Sequence, residues 1–332
     1  MDPITQGALG AALPQSFASS KKVRSAALVG TLSGMAPDLD IFIQSSIDPL
    51  LFLEYHRQFT HALLFVPVGA LICCLALTPL VRALTFKESY LFCLLGYSTH
   101  GLLDACTSYG TLLLWPISDM RIAWHNISVI DPLATVPLIF FVLIGVVWKR
   151  PFFARIGIVW VLCYLMIGFI QKERAEILGE QYAQARGHSP ISLQAKPSFG
   201  NLILWKIIYE SGDHYFVDAA RVGLKPYLIP GNSVEKLDID RHFPNLDPTS
   251  QQAKDIERFR WFSQGYLAPD PKHTNRIMDV RYSMLPNEIE PIWSVELAVS
   301  PLPHEKNHVS FITNRSESKE KLQRLVKMIQ GI

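Results

Sequence analysis

Apolar residues are concentrated in long uncharged runs within the first 190 positions of the chain. Ala62–Val81 is such a run of 20 residues, which at about 1.5 Å per residue is long enough to cross a hydrocarbon core of roughly 30 Å. Pro132–Trp148 and Ile156–Gln171 are two more, separated by basic residues, and Ser89–Leu103 is a fourth that His100 interrupts near its end. This pattern predicts four membrane helices.

The first 37 residues are also largely uncharged but are rich in small side chains. Ile4–Ser20 and Ser25–Pro37 contain many Gly, Ala and Ser residues, and a basic turn, Lys21–Arg24, joins them. Small residues of this kind let membrane helices pack closely together. The fold class that we predict is therefore mainly α: a polytopic membrane helical bundle of about 4–6 membrane helices, followed by a small α+β soluble domain.

The remainder of the chain alternates apolar and polar positions as half-buried strands do. The alternation predicts strands at Leu202–Tyr209, Tyr215–Val222, Ile277–Met284 and Ile292–Val299, and an amphipathic pattern predicts a closing helix at Ser316–Ile329. We therefore expect a membrane-embedded helical domain at 1–190 and a soluble α+β domain at 191–332.

Charge separates the same two regions. Residues 1–190 contain 25 charged side chains and residues 191–332 contain 35, although the whole chain has a net charge of only +2. So small a net charge gives no general attraction for nucleic acid. With six helices, eight basic residues flank the membrane on one side and four on the other, and the richer side is expected to be cytoplasmic. The C-terminal domain is then expected to be periplasmic.

Three polar motifs interrupt the apolar region on the predicted outer side. Pro37–Asp40 ends the second helix, His56–His61 precedes the longest apolar run, and His100 and Asp104 share one face of the fourth helix because they are four residues apart. Carboxylates and imidazoles are the ligands of divalent cations such as Zn²⁺, Mn²⁺ and Mg²⁺. We predict a metal site, with Zn²⁺ favoured, formed by Asp38, Asp40, His56, His61, His100 and Asp104.

Each motif has a simpler explanation when it is taken alone. An Asp-x-Asp at a helix end is usually a solvated cap, and His56 and His61 are compatible with interfacial histidines whose polar tips reach water. The pair on the fourth helix is less easily explained, because an unpartnered Asp inside an apolar helix costs about 3 kcal/mol. The agreement of all three motifs therefore favours the joint site.

Catalytic candidates lie within and beside these motifs. A carboxylate that is not needed as a ligand could act as a general base, and an arginine could present its planar fork of donors to phosphate or carboxylate oxygens. An alternative role for Arg121 is that of a juxtamembrane anchor. The predicted catalytic residues are Asp40, Arg57, Asp104 and Arg121.

Other recognisable catalytic motifs are missing from the sequence. It contains no G-x-S-x-G, Walker loop, CxxC or Rossmann fingerprint, which removes the main support for a serine hydrolase, a nucleotide-binding protein or a zinc finger. In the polar region, Asp279 and Arg281 are two residues apart on one face of a strand. We expect them to form a structural ion pair of the exposed kind.

The motifs together resemble a known family, the LexA-regulated, inner-membrane, metal-dependent hydrolases of bacteria. The likeness lies in Met1–Gly10, Gly34–Asp40, His56–His61, His100–Gly110 and the stretch from Leu114 to Pro132. It is close over residues 1–175 and loose beyond them. The resemblance implies a multi-pass inner-membrane protein with a hydrolase activity and a metal site at the six residues predicted above. Relatives often have His where this chain has Gln6.

The leading hypothesis is a membrane-bound hydrolase in which a metal-activated water attacks an ester or phosphoester. A site at the outer surface of the inner membrane favours membrane lipids as partners and a lipid-like substrate. The first alternative is an ion- or proton-translocating protein, which would need polar residues that continue across the membrane. The second is a metal-stabilised scaffold without catalysis.

Overall fold

The structure is a computed structural model that describes residues 1–298, 307–314 and 318–332. It divides into two compact units. Unit 1 comprises Met1–Phe42, Tyr55–Ile170 and Phe199–Leu202. Unit 2 comprises Ile43–Glu54, Gln171–Ser198 and Ile203–Ile332.

Unit 1 is mainly helical, whereas unit 2 combines helices with all the strands of the described residues. In chain order the α-helices are α1 (Pro3–Phe17), α2 (Val23–Met35), α3 (Leu51–Tyr55), α4 (Val66–Leu77), α5 (Phe86–Ala105), α6 (Pro132–Trp148), α7 (Pro151–Ala185), α8 (Ile239–His242), α9 (Gln251–Phe262) and α10 (Ser318–Gln330). Short 3₁₀ helices at Ala36–Phe42 and Phe59–His61 extend α2 and precede α4.

Glycines bring α1, α2 and α5 into close contact in unit 1. A Cβ atom on Gly10 would lie 2.6 Å from the carbonyl oxygen of Gly30, and one on Gly96 would lie 2.7 Å from the same oxygen. Cβ atoms do not approach a backbone this closely, so only glycine permits these crossings. The small residues of the N-terminal helices are therefore used for packing.

The predicted bundle of about 4–6 membrane helices is wrong. Among the described residues, only Leu63–Leu80 and Pro151–Ala185 are helical segments long and apolar enough to cross a membrane, judged by length and composition. Helix α6 is apolar but shorter. Helices α1 and α2 have 15 and 13 residues, which at about 1.5 Å per residue span less than a hydrocarbon core of roughly 30 Å. Their sequences, uncharged except for Arg24, reflect close packing, and polar residues lower the hydropathy of α5.

Unit 2 contains two antiparallel four-stranded sheets. The first sheet consists, in sequence order, of β1 (Ser192–Pro197), β2 (Leu204–Ser211), β3 (His214–Arg221) and β4 (Tyr227–Glu235). The second sheet consists, also in sequence order, of β5 (Leu267–Asp270), β6 (His273–Asp279), β7 (Trp293–Glu296) and β8 (Ser310–Thr313). The fold of the described residues is thus a mixture of helices and sheets.

Four of these strands and the closing helix agree in place with the alternation pattern. Strands β2 and β3 coincide with the predicted segments within two residues, and β7 is shorter than predicted. Strand β6 begins four residues before the predicted segment and overlaps it only at Ile277–Asp279, because the chain leaves the sheet there. Helix α10 begins at Ser318, and the predicted positions Val299 and Ser316 lie outside the described residues. The strands that the pattern missed, β1, β4, β5 and β8, include short or irregular ones, such as β4, whose pairing with β3 is interrupted between Val217 and Ala219.

The predicted Asp279–Arg281 ion pair is present, with a carboxylate oxygen 2.7 Å from Nη2 of the guanidinium. Its environment differs from the expectation, because both side chains are fully buried. Asp279 is the last residue of β6, so Arg281 lies beyond the strand and folds back onto it. The pair is an element of the interior of unit 2.

Candidate metal centre

The first motif lies in the 3₁₀ helix Ala36–Phe42, which continues directly from α2. A 3₁₀ helix has three residues per turn, so Pro37 and Asp40 lie on one side of it, and both are buried. Asp38 lies on the next face and keeps 19% of its side chain exposed. One carboxylate is therefore fixed inside unit 1, and the other is reachable from outside.

The second motif follows a left-handed turn at Arg57, whose φ is 65°. This turn directs the backbone N–H of Arg57 and the hydroxyl of Thr60 toward Asp40, where both donate to Oδ2 at 3.1 and 2.7 Å. His56 Nδ1 lies 2.7 Å from the other oxygen, Oδ1. Asp40 therefore organises the segment that carries His56 and His61.

The third motif lies near the C-terminal end of α5. His100 and Asp104 are one helical turn apart and both are fully buried. Gly101, between them, lets α5 approach the second motif, because a Cβ atom there would be 2.3 Å from the carbonyl oxygen of His61. The rings of His61 and His100 consequently meet edge to face, with centroids 4.6 Å apart.

Four side chains from these motifs converge on one small volume. Asp38 Oδ1 lies 3.5 Å from His61 Nε2 and 3.3 Å from His100 Nε2. Asp104 Oδ2 lies 3.4 Å from His61 Nε2 and 4.0 Å from His100 Nε2. All four candidate ligand atoms are within 4.8 Å of one another, and Asp38 forms a second such group with Asp40 and His56.

Surrounding groups orient the histidines so that Nε2 faces this volume. His100 Nδ1 lies 2.6 Å from the carbonyl oxygen of Gly34, so it is the protonated nitrogen and donates. His61 Nδ1 lies 3.3 Å from Asp40 Oδ2. A hydrogen bond from the outer nitrogen to a carbonyl or carboxylate is the usual support of a metal-binding histidine. Gln6 Nε2 donates to Asp104 Oδ1 at 2.9 Å, and the Met1 amine contacts the same oxygen.

Three atoms at the centre have no hydrogen-bond partner among the described residues. They are His61 Nε2, His100 Nε2 and Asp104 Oδ2, and all are buried. A buried polar atom without a partner costs about 1–3 kcal/mol, so native proteins rarely keep one without a reason. A cation bound between them would satisfy all three. This buried cluster of Asp and His side chains could therefore hold a metal ion, and its nitrogen and oxygen donors suit several divalent cations.

The electrostatics of the first two motifs also favour a cation. Burial alone would raise the pKa of Asp40, but hydrogen bonds from His56 and His61 hold it well below its usual range. Burial would lower the pKa of His61, but the carboxylates of Asp104, Asp38 and Asp40 raise it to about 10. Three carboxylates in so small a volume create a negative potential that attracts positive charge.

The two predicted arginines occupy different places. Arg57 Nε lies 2.9 Å from Asp104 Oδ2 and forms an ion pair with it that lacks hydrogen-bond geometry. Arg57 Nη1 donates to Thr107 Oγ1 at 3.1 Å. The Arg57 guanidinium also lies 5.0 Å from the ring centroid of Tyr109. Arg121 is buried and donates from Nη2 to the carbonyl of Gly110 at 3.0 Å. The structure thus places Arg57 beside the carboxylate cluster and Arg121 against the turn that follows Thr107.

Two supports of the site were not found from the sequence. The carbonyl of Gly34 holds His100, and the hydroxyl of Tyr97 donates to the carbonyl of Thr60 at 2.8 Å. A backbone acceptor has no side-chain signature, and a Tyr in an apolar helix looks like an ordinary packing residue. The position of Tyr97 within α5 gave no separate signal, because this helix is apolar on several faces.

Comparison with known proteins identifies a family for the helical region. Residues 1–175 match the family model described as YdjM inner membrane protein. No curated protein and no solved structure matches the chain. The matched region contains all six residues of the predicted metal site.

Proposed function

The chain belongs to the YdjM inner membrane protein family, and we propose that it acts there as a metal-dependent hydrolase. The observation that carries the proposal is the convergence of His61 Nε2, His100 Nε2 and Asp104 Oδ2, three buried atoms without hydrogen-bond partners in the described chain. Asp38 completes a four-residue donor set. Its partial exposure gives the centre one side open to a substrate.

A divalent ion at these four residues would polarise an ester or phosphoester oxygen and make a neighbouring water more acidic. His56 is the residue best placed to accept a proton, because it is partly exposed and its Nδ1 is held by Asp40 at 2.7 Å. This carboxylate–imidazole pair has the arrangement of a general base and its orienting group. Arg57 supplies positive charge next to Asp104.

Arg121 is proposed to act by holding the turn that precedes it. Its guanidinium donates to the carbonyl of Gly110, in the turn that follows Thr107, and the Thr107 hydroxyl accepts from Arg57. Loss of Arg121 should therefore displace Arg57 and weaken the site indirectly.

An amphiphilic substrate fits the surface beside Asp38. Leu39 and Phe42 are three residues apart on the same face of the 3₁₀ helix and are 63% and 76% exposed. Exposed apolar side chains next to a polar centre favour a ligand with an acyl chain and a polar head. We propose a lipid or lipid-linked ester or phosphoester of the inner membrane as the substrate class.

The inner-membrane location follows from the family, and we propose that residues 191–332 are periplasmic. The count of basic residues that predicted this orientation assumed six membrane helices, so the orientation depends on a labelling experiment. Leu224 is fully exposed, so a Leu224→Cys variant should react with a membrane-impermeant maleimide once the outer membrane is permeabilised. Labelling only after the inner membrane is lysed would place this region in the cytoplasm instead.

The first test is the metal content of the detergent-purified protein, measured by elemental mass spectrometry. We expect the wild type to contain stoichiometric metal, and His61→Ala and Asp104→Ala to lose it. His214→Ala and Asp213→Asn are matched controls, because both residues are exposed in unit 2. If the wild type takes up no metal after incubation with Zn²⁺, Mn²⁺ or Mg²⁺, the proposed centre is wrong.

The hydrolase activity needs a separate test. Metal-loaded protein should hydrolyse members of a panel of lipid esters and phosphoesters, and both a chelator and His56→Ala should abolish the turnover. Stoichiometric metal without turnover on any of these would favour a metal-stabilised scaffold.

A further inference from the structure

The loop between the first two motifs of the metal centre belongs to unit 2. The segment Ile43–Glu54 is part of unit 2, whereas the residues on either side of it are part of unit 1. Asp40 precedes the segment by three residues, and His56 follows it by two. The contact of Asp40 Oδ1 with His56 Nδ1 at 2.7 Å closes the base of this loop.

Apolar residues hold the segment within the core of unit 2. Leu50 is fully buried and Leu53 nearly so, in a cluster that includes Phe259 of α9. The ring of Phe52 meets that of Phe311 edge to face, with centroids 5.2 Å apart. Burying a Leu side chain contributes about 2 kcal/mol, so the segment is an integral part of this core.

A single arginine of α9 binds the middle and the C-terminal end of the segment. Arg258 donates from Nη1 and Nη2 to the two carboxylate oxygens of Asp48 at 3.0 and 2.8 Å, and from Nε to Glu54. It also donates to Asp255 at 2.9 Å, and Asp255 accepts in turn from His308 Nδ1 at 2.9 Å. Such a two-pronged contact fixes direction as well as distance, which a lysine would not do.

The fixed end lies close to the metal centre along the chain. Glu54 is in α3, the helix that ends at Tyr55, immediately before His56. The N–H of Gln58 donates to the carbonyl of Tyr55 at 3.1 Å, so the turn that carries His56 and Arg57 is joined to the end of this helix. The direction of α3 therefore determines where the second motif begins.

We propose that Arg258 is a positioning residue for the metal centre. By binding Asp48 and Glu54 it fixes the segment that leads directly into His56, and it thereby strengthens metal binding at the centre. The inference rests on the proposed metal centre.

The test compares Arg258→Ala with Arg186→Ala in the full-length protein, using competition of the protein with a fluorescent Zn²⁺ chelator. Arg186 is the matched control, because it also makes a two-pronged contact with a carboxylate of unit 2, that of Asp218 at 2.6 and 3.0 Å, away from the loop. We expect about 10-fold weaker Zn²⁺ binding in Arg258→Ala, as for other groups that support ligands from behind, and unchanged binding in Arg186→Ala. Arg258→Lys should recover part of the loss.

Equal Zn²⁺ affinity in Arg258→Ala and the wild type would overturn the inference while leaving the metal centre intact. If Arg258→Ala does not fold, the double variant Asp48→Asn/Glu54→Gln makes the same comparison with the same two outcomes. If the wild type binds no Zn²⁺, the proposed function fails and the effect on metal affinity fails with it, and hydrogen exchange then decides whether Arg258 positions the second motif. Faster exchange of the Arg57 and His61 amides in Arg258→Ala would then support it, and unchanged exchange would refute it.

Discussion

Two buried groups of charged side chains, one in each unit, differ in how completely their polar atoms are paired. In unit 2, all three guanidinium nitrogens of Arg281 donate, to Asp279, to the side-chain oxygen of Gln264 and to the carbonyl of Phe262. In unit 1, His61 Nε2, His100 Nε2 and Asp104 Oδ2 are just as buried and have no hydrogen-bond partner among the described residues.

The difference separates a structural group from a candidate binding site. Both groups are removed from water, so burial alone does not distinguish them. A buried ion pair with every hydrogen bond made is complete by itself, whereas several buried atoms that face one another without hydrogen-bond partners favour a bound cation between them. The degree of hydrogen bonding therefore identifies the candidate metal centre more clearly than burial or charge.

The largest effect is expected from breaking the complete group. Arg281→Met leaves the Asp279 carboxylate buried without its partner, which should lower the free energy of unfolding by about 3–5 kcal/mol. Thermal denaturation of the full-length protein, followed by tryptophan fluorescence, measures the change. Metal content should stay at the wild-type level in the protein that remains folded.

Replacing both partners sharpens this prediction. Asp279→Leu/Arg281→Met leaves no unpaired charge, so most of the lost stability should return. If the double variant is as unstable as Arg281→Met, the pair stabilises the fold by more than offsetting the cost of burying its two charges. Loss of metal in either variant would contradict the conclusion that the Asp279–Arg281 pair has a structural role and does not support metal binding.

A smaller effect is expected from Lys206, a buried neighbour of the complete group. Burial lowers its pKa to about 7, although Asp279 and Glu288 oppose the shift. Between about pH 7 and 10 the unfolded chain then carries a proton here that the folded chain lacks, so stability rises with pH by up to about 1.4 kcal/mol per unit. Lys206→Met should flatten this rise between pH 8 and 9.5, as measured by thermal melting. An unchanged slope would show that Lys206 stays protonated inside unit 2.

The smallest effect is expected from a group that supports the metal centre. Thr60→Val removes the hydroxyl that donates to Asp40 Oδ2 at 2.7 Å, and metal affinity should fall about 10-fold. Thr31→Val is the matched control, because the Thr31 hydroxyl only donates to the carbonyl of Ala27 within α2. The same chelator competition measures the metal affinity of both variants. Equal affinities would show that the Thr60 hydroxyl does not support the site.

The sequence predicted side-chain chemistry better than it predicted the number of membrane helices. Spacing was sufficient for His100 with Asp104, because a helix fixes which residues share a face. The predicted pair of Asp279 with Arg281 also forms, although Arg281 lies beyond the end of the strand. The spacing could not show that the second pair is buried, since burial depends on residues distant in the sequence. The hydrogen-bond acceptor of His100 could not be predicted either, because a backbone carbonyl such as that of Gly34 leaves no signal in the sequence.

The number of membrane helices was overestimated because uncharged sequence has two causes. In Leu63–Leu80 it reflects an apolar surface, since only 22% of that window is buried. In α1 and α2 it reflects glycine and alanine at helix crossings, where Gly10 and Gly30 leave no room for a side chain. A hydropathy average treats both alike.

Gly34 combines close packing with a role at the metal centre. A Cβ atom on this residue would lie 2.8 Å from Cα of Gly10, while its carbonyl oxygen accepts the hydrogen bond from His100. The spacing of the helices and the direction of a ligand therefore cannot evolve independently. A random screen for variants that lose metal should return substitutions at these glycines alongside substitutions at the acidic and histidine residues.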